Sequence, residues 1–205
     1  MRRLALFGPM LLSLLVLPAT AGAQEATPYP GLDVPAPEEC TVAPRSLEEL
    51  QRLHAAPATP AAASASPTPV ALPTGAPVDA ATAEAVTAAV RQFVACLNAG
   101  DYWRQLATYS DRFVQIFLQA YLDPATGVTQ EIYDAYATPR PPDPSLQAGL
   151  LEIGPIVQLP DGRVAVAAVA DVPGDDAPPR QSIFYFVKNG DRWQIDDFAY
   201  MPIGG

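Results

Sequence analysis

Residues 181–199 read QSIFYFVKNGDRWQIDDFA. Two runs rich in β-branched and aromatic residues, 181–188 and 192–199, flank Asn189-Gly190-Asp191, and this arrangement predicts a β-hairpin. Alternation along the second strand puts Trp193, Ile195 and Asp197 on one face and Gln194, Asp196 and Phe198 on the other, unless a bulge intervenes. The first strand is apolar on both faces, with Ile183, Tyr185 and Val187 opposed to Phe184 and Phe186. One face must meet another layer. The second needs cover, so a homodimer through the sheet face or a covering N-terminal arm is expected.

Working upstream, residues 149–159 and 163–171 form a second β-rich pair joined by Pro160-Asp161-Gly162. Gly154-Pro155 predicts a bulge or bend in the first of them. The loop 173–180 between the hairpins is acidic and proline-rich. Before residue 137 the period changes. Asp79 is a good N-cap, and Val86, Val90, Phe93, Val94 and Leu97 form one helical face. Asn98 and Gly100 end that helix, and Asp101 caps a second over about 102–109. A third starts after Ser110 or Asp111, with Phe113, Phe117 and Tyr121 at four-residue intervals. Thr129 caps a fourth through Tyr136, which Pro139 stops. Helices followed by an antiparallel sheet make an α+β fold over residues 79–205.

Residues 1–23 read as a secretory signal peptide. Arg2 and Arg3 precede an apolar core from Leu4 to Leu17, and Ala21-Gly22-Ala23 fits a cleavage site, with Ala19-Thr20-Ala21 as an alternative. The apolar run is too short for a membrane span, and no later run reaches the ~20 apolar residues that one needs. A secreted protein is therefore expected. Residues 24–45 carry five prolines and read as an extended arm. Ser46 and Glu49 match a capping box, and Leu47, Leu50 and Leu53 predict a short helix over 47–54 that His54 ends, its side chain solvated. Residues 55–78 carry no charge and are rich in proline and alanine, so they read as a disordered linker.

Without the signal peptide the chain has 22 acidic residues against 10 basic ones, a net charge of −12. That balance repels phosphate backbones, so nucleic acid is not expected as a partner. Two cysteines in an exported chain point to one disulfide, Cys40–Cys96. Two free thiols, or an intermolecular bond through Cys40, remain the alternatives. Two cysteines and a distant histidine do not make a metal site, and no nucleotide- or cofactor-binding signature occurs. A nucleophilic triad would have to recruit His54, the only histidine, from outside the predicted domain.

The helix end A-C-L-N-A-G-D, the aromatic helix pair and the closing F-V-K-N-G-D-R-W-Q-I-D-D-F resemble the NTF2-like superfamily, which includes SnoaL-like proteins. The family's helix-end motif corresponds to Asn98, Gly100 and Asp101. Its late strand motif corresponds to Gly190, Arg192, Trp193 and Ile195, with Asp191 as an extra residue. The likeness covers about residues 79–200. It implies N-terminal helices packed on a strongly curved antiparallel sheet, forming a cone with an internal pocket. Trp103, Tyr109, Phe113, Phe117 and Tyr121 are expected to line that pocket from the helices, with Tyr133, Tyr185 and Trp193 completing it. Some members of such a family isomerise, dehydrate or cyclise apolar substrates without a cofactor, using a carboxylate and tyrosines. Asp197 is the one candidate base. The leading expectation is a secreted, non-catalytic domain that binds a small apolar ligand or a protein partner. The alternatives are a cofactor-free isomerase or cyclase, and an interaction module whose pocket its own side chains fill.

Overall fold

Side-chain caps punctuate the chain at each helix start. The computed structural model describes residues 31–57, 73–171 and 179–201. The expected signal peptide, the start of the arm, the linker core 58–72 and most of the acidic loop lie outside the described residues. Helices α1 (Leu47–Ala55), α2 (Ala80–Ala99), α3 (Tyr102–Ala107), α4 (Asp111–Tyr121) and α5 (Gln130–Ala137) precede the long strands. Ser46, Asp79, Asp101, Ser110 and Thr129 each accept a hydrogen bond from the backbone N–H three residues on, relieving one orphan donor per helix. The capping box at Ser46 is only half formed, because the Glu49 carboxylate turns to Arg45 instead. Gly100 closes α2 at φ 59°, with a Cβ there falling 2.0 Å from the Arg140 carbonyl oxygen. Only glycine fits this position.

The sheet is antiparallel throughout, in the order β1-β2-β3-β4-β5. Its strands are β1 (Ala76–Pro77), β2 (Gly149–Gln158), β3 (Val164–Asp171), β4 (Arg180–Asn189) and β5 (Arg192–Met201). The two-residue β1 lies inside the stretch expected to be linker. It pairs with Val157 and Gln158, and Gly75 permits the approach, since a Cβ there would sit 2.5 Å from the Gln158 carbonyl oxygen. The register breaks at Gly154-Pro155, as expected, and again between Leu150 and Glu152. A third break falls in the last hairpin. Tyr185 pairs with Asp197 and Phe186 with Ile195, so Asp196 is the extra residue of a bulge. Bulges bend the strand that carries them and increase its twist.

Helices cover one face of this sheet. Val86, Val90 and Val94 from α2, Val114 and Leu118 from α4, and Val164, Val166, Phe184, Phe186 and Ile195 from the strands form one buried cluster. On the opposite face Leu159, Ala165 and Ile183 form a smaller one, with Val157 and Tyr185 at its edge. Ile183 is fully buried within the single chain.

The arm is part of this core. Cys40 and Cys96 are bonded, their Cα atoms 4.7 Å apart. Asn98 is fully buried, donates to the carbonyls of Pro35 and Ala148, and accepts from the Ala148 N–H. One side chain thus ties arm, helix and sheet edge together. Leu50 and Leu53 are buried against the main cluster, each contributing about 1.5–3 kcal/mol. Gln115 and Gln119 of α4 donate to the carbonyls of His54, Ala56 and Pro57. His54 is therefore not a solvated helix end. Its ring packs against Gly127, where a Cβ would meet Nδ1 at 2.7 Å, and its Nε2 is buried.

Arg45 adds a dense noncovalent attachment of the arm. It is only 3% exposed. Its guanidinium donates to the carbonyls of Leu106 (3.1 Å) and Tyr109 (2.6 Å) and to the carboxylates of Glu49 and Asp111. Its own backbone is held from both sides: its N–H donates to the Trp103 carbonyl, and its carbonyl accepts from the Tyr133 hydroxyl.

Candidate functional site: an aromatic cleft between helices three and four

The cleft is built where the α3–α4 corner docks on β5. Ser110 N–H donates to the Ile195 carbonyl, and Ile195 N–H donates to the Thr108 carbonyl, at 2.8 and 2.9 Å. The Ser110 hydroxyl also donates to the Asp196 carboxylate at 2.7 Å, and Arg112 grips the same carboxylate through Nε and Nη2. Burial pushes the Asp196 carboxyl up, but the hydrogen bonds from Arg112 and Ser110 outweigh that effect and hold it below its ordinary value. The bulge has a second consequence. It reverses the alternation of β5, so Phe198 faces the helices together with Ile195.

A cleft of about 360 Å³ opens beside this corner. Helix α3 supplies Tyr102, Gln105 and Leu106. Helix α4 supplies Phe113, Ile116, Phe117, Ala120 and Tyr121, and Tyr109 and Phe198 complete the wall. Tyr109 and Phe113 stack at 4.5 Å, and Phe113 leans on Phe198 at 5.6 Å. Phe117 lies 4.8 Å from Tyr121 and 6.4 Å from Tyr102. Tyr121 is 75% exposed, at the outer edge. Burial, with the adjoining phenols of Tyr136 and Tyr121, pushes the Tyr102 hydroxyl up to about 12, so it stays protonated.

Four of the eight residues expected to line a pocket do so: Tyr109, Phe113, Phe117 and Tyr121. The other four sit elsewhere. Trp103 is buried behind the cleft, stacked on Tyr133 at 5.1 Å, and its indole N–H donates to the Tyr133 carbonyl. Tyr133 in turn holds the arm, its hydroxyl donating to the Arg45 carbonyl. Trp193 packs at the margin of the core near the hairpin turn, with the Lys188 ammonium 6.0 Å from its ring. Tyr185 lies on the sheet face away from the helices, under the Arg163 guanidinium at 5.1 Å. Asp197 is its cross-strand partner and shares that face, so it does not reach the cleft. The bulge at Asp196 is the cause: it separates Asp197 from Trp193 and Ile195, which alternation alone had put together.

Sequence reasoning missed Tyr102, Gln105, Leu106, Ile116, Ala120 and Phe198. The first five carry a legible signal. Positions 102, 105 and 106, and 113, 116, 117 and 120, each follow the i, i+3, i+4, i+7 spacing of one helix face. Phe198 carries none, since its orientation depends on the bulge.

Among the described residues, further clefts flank the arm and α5. One of about 250 Å³ adjoins the first across Tyr102 and Gln105 and reaches Tyr136 and Arg140. A polar one of about 420 Å³ lies between His54 and the turn 124–128. A third, of about 220 Å³, borders Arg45, Asp111 and Arg192. Among the described residues, no group of three His, Cys, Asp or Glu could hold a metal ion, and no helix is long and apolar enough to cross a membrane. No family model, curated protein or solved structure matches this chain.

Proposed function

We propose that the protein is an exported, non-catalytic domain of the NTF2-like type that binds a small apolar molecule in the α3–α4 cleft. The observation that carries this reading is the lining itself. Six of its ten residues are aromatic, and none is Asp, Glu, His, Lys or Arg. Such a surface gains from burying apolar area and offers phenol hydroxyls and one amide to orient a guest. Catalysis by an isomerase of this type would need a desolvated carboxylate beside a phenol inside the cleft. The nearest carboxylate on β5, Asp196, is engaged by Ser110 and Arg112, and Asp197 lies on the opposite face. Helices ahead of a bulged antiparallel sheet support the family assignment, and the bonded cysteine pair supports an oxidising destination.

A cleft-filling substitution tests the reading. Ala120 is exposed on α4 and borders the cleft, so Ala120→Trp adds an indole there without disturbing the buried core. Titration with a neutral apolar fluorophore such as Nile red should give saturable binding to the native chain and at least about tenfold weaker binding to the variant, a loss of roughly 1.4 kcal/mol. Equal binding to both proteins, with the helical signal intact, would remove the cleft as the site.

A further inference from the structure

The chemistry of the cleft narrows its ligand beyond apolar. Its polar groups are the phenol hydroxyls and the Gln105 amide, with no charged side chain in the lining. An anion entering it would find no cation, in a chain with 22 acidic and 12 basic residues. A primary ammonium would bring three N–H donors into a wall with few acceptors, and buried donors left unpaired are costly. A quaternary ammonium carries its charge with no donor at all and presents a methyl surface. Aromatic faces attract such a cation through their quadrupole. Apart from the stacked pair Tyr109 and Phe113, the rings here are inclined to one another, by 42° for Phe113 and Phe198, 43° for Phe117 and Tyr121 and 55° for Tyr102 and Phe117. Inclined rings let several faces border one guest, which a parallel stack does not. The hydroxyl of Tyr102, pushed up to about 12, remains a neutral dipole across the physiological range.

We infer that the α3–α4 cleft takes a ligand bearing a quaternary ammonium group on an apolar body, held against Phe113, Phe117, Tyr102 and Tyr121. The inference rests on the cleft being a small-molecule site, and the experiment separates the two. Phenyltrimethylammonium and tert-butylbenzene have the same shape and differ only in N⁺ against C. A merely apolar cleft prefers the neutral molecule, because the cation must shed its water. The inference expects the ammonium to bind at least as tightly as the hydrocarbon. It also expects Tyr121→Leu and Phe117→Leu to weaken the ammonium about fivefold each, as the loss of one ring face of ~1 kcal/mol implies, with the hydrocarbon changed less than about twofold. Tyr121 is three-quarters exposed, so its replacement leaves folding intact. Tighter binding of tert-butylbenzene, or equal weakening of both ligands, overturns the inference and leaves the apolar site standing. Binding of neither removes both. Flotation with phosphatidylcholine vesicles then assigns the source: co-flotation means a lipid headgroup, and its absence beside phenyltrimethylammonium binding means a free small molecule.

Discussion

Replacing Arg45 should unfold the arm and weaken the whole domain together. The side chain is 3% exposed, while its partners Glu49 and Asp111 are 35% and 46% exposed. In Arg45→Ala the two carboxylates can rehydrate, so their loss is small. The guanidinium's two bonds to the buried carbonyls of Leu106 and Tyr109 are lost outright, and a hydrogen bond to a charged group contributes at least about 1.5 kcal/mol. Adding the lost packing of the side chain gives a total of about 3–5 kcal/mol, in the range for breaking a buried ionic contact. Arg45→Met keeps the packing and loses the same two bonds, so it should lose about 3 kcal/mol. The assay is urea unfolding of the disulfide-intact protein carrying Trp193→Phe, followed both by tryptophan fluorescence, which then reports Trp103 beside the arm, and by far-ultraviolet circular dichroism. The two signals should move together to lower midpoint at unchanged slope. A loss below about 1 kcal/mol in Arg45→Ala, or an arm transition separate from the domain's, would refute the view that arm and domain are one cooperative unit.

Three further outcomes follow from the same packing. Gly100→Ala should cost at least about 2 kcal/mol in thermal or urea unfolding, since it combines the left-handed backbone penalty with a contact to the Arg140 carbonyl that cannot relax cheaply. Asp196→Asn should lose about 2 kcal/mol at pH 7, where the carboxylate is bound by Arg112 and Ser110. Because the folded carboxyl lies below its ordinary value of 3.8, that contribution is complete above it and fades as pH falls through the lower folded value. Wild type and variant should therefore converge in stability on acidification, and a gap that persists to low pH would contradict the ion-pair account. Cys40→Ser/Cys96→Ser removes a crosslink spanning 56 residues of separation. It should lower stability by roughly 4 kcal/mol while leaving the far-ultraviolet spectrum native.

Local chemistry was the readable part of this chain. Asp79, Asp101, Ser110 and Thr129 were recognisable as caps because capping needs only a short polar side chain and the next three residues. Gly100 and the turns at Gly162 and Gly190 were readable for the same reason, and all three glycines adopt positive φ. What escaped depends on distant partners. Arg45 carries no local signal of its role, because the carbonyls that it binds lie more than sixty positions away. Asn98 looked like a helix end and turned out to bridge three elements. The two-residue β1 has no period to detect, since Ala76 and Pro77 join the sheet only through the β2 edge. The candidate site was half legible. The four-residue rhythm of Phe113, Phe117 and Tyr121 marked one wall. The bulge at Asp196 left no trace in composition, and it moves Asp197 out of the site and Phe198 into it.

The central claim is that the α3–α4 cleft is a ligand site. Heteronuclear NMR titration of the native chain with tert-butylbenzene tests it most directly. The account predicts saturable shifts concentrated on the methyls of Leu106, Ile116 and Ala120, with Val157 and Ile183 on the far face of the sheet unmoved. Shifts spread evenly over both faces, or none at Leu106 and Ile116 at saturating ligand, would contradict it.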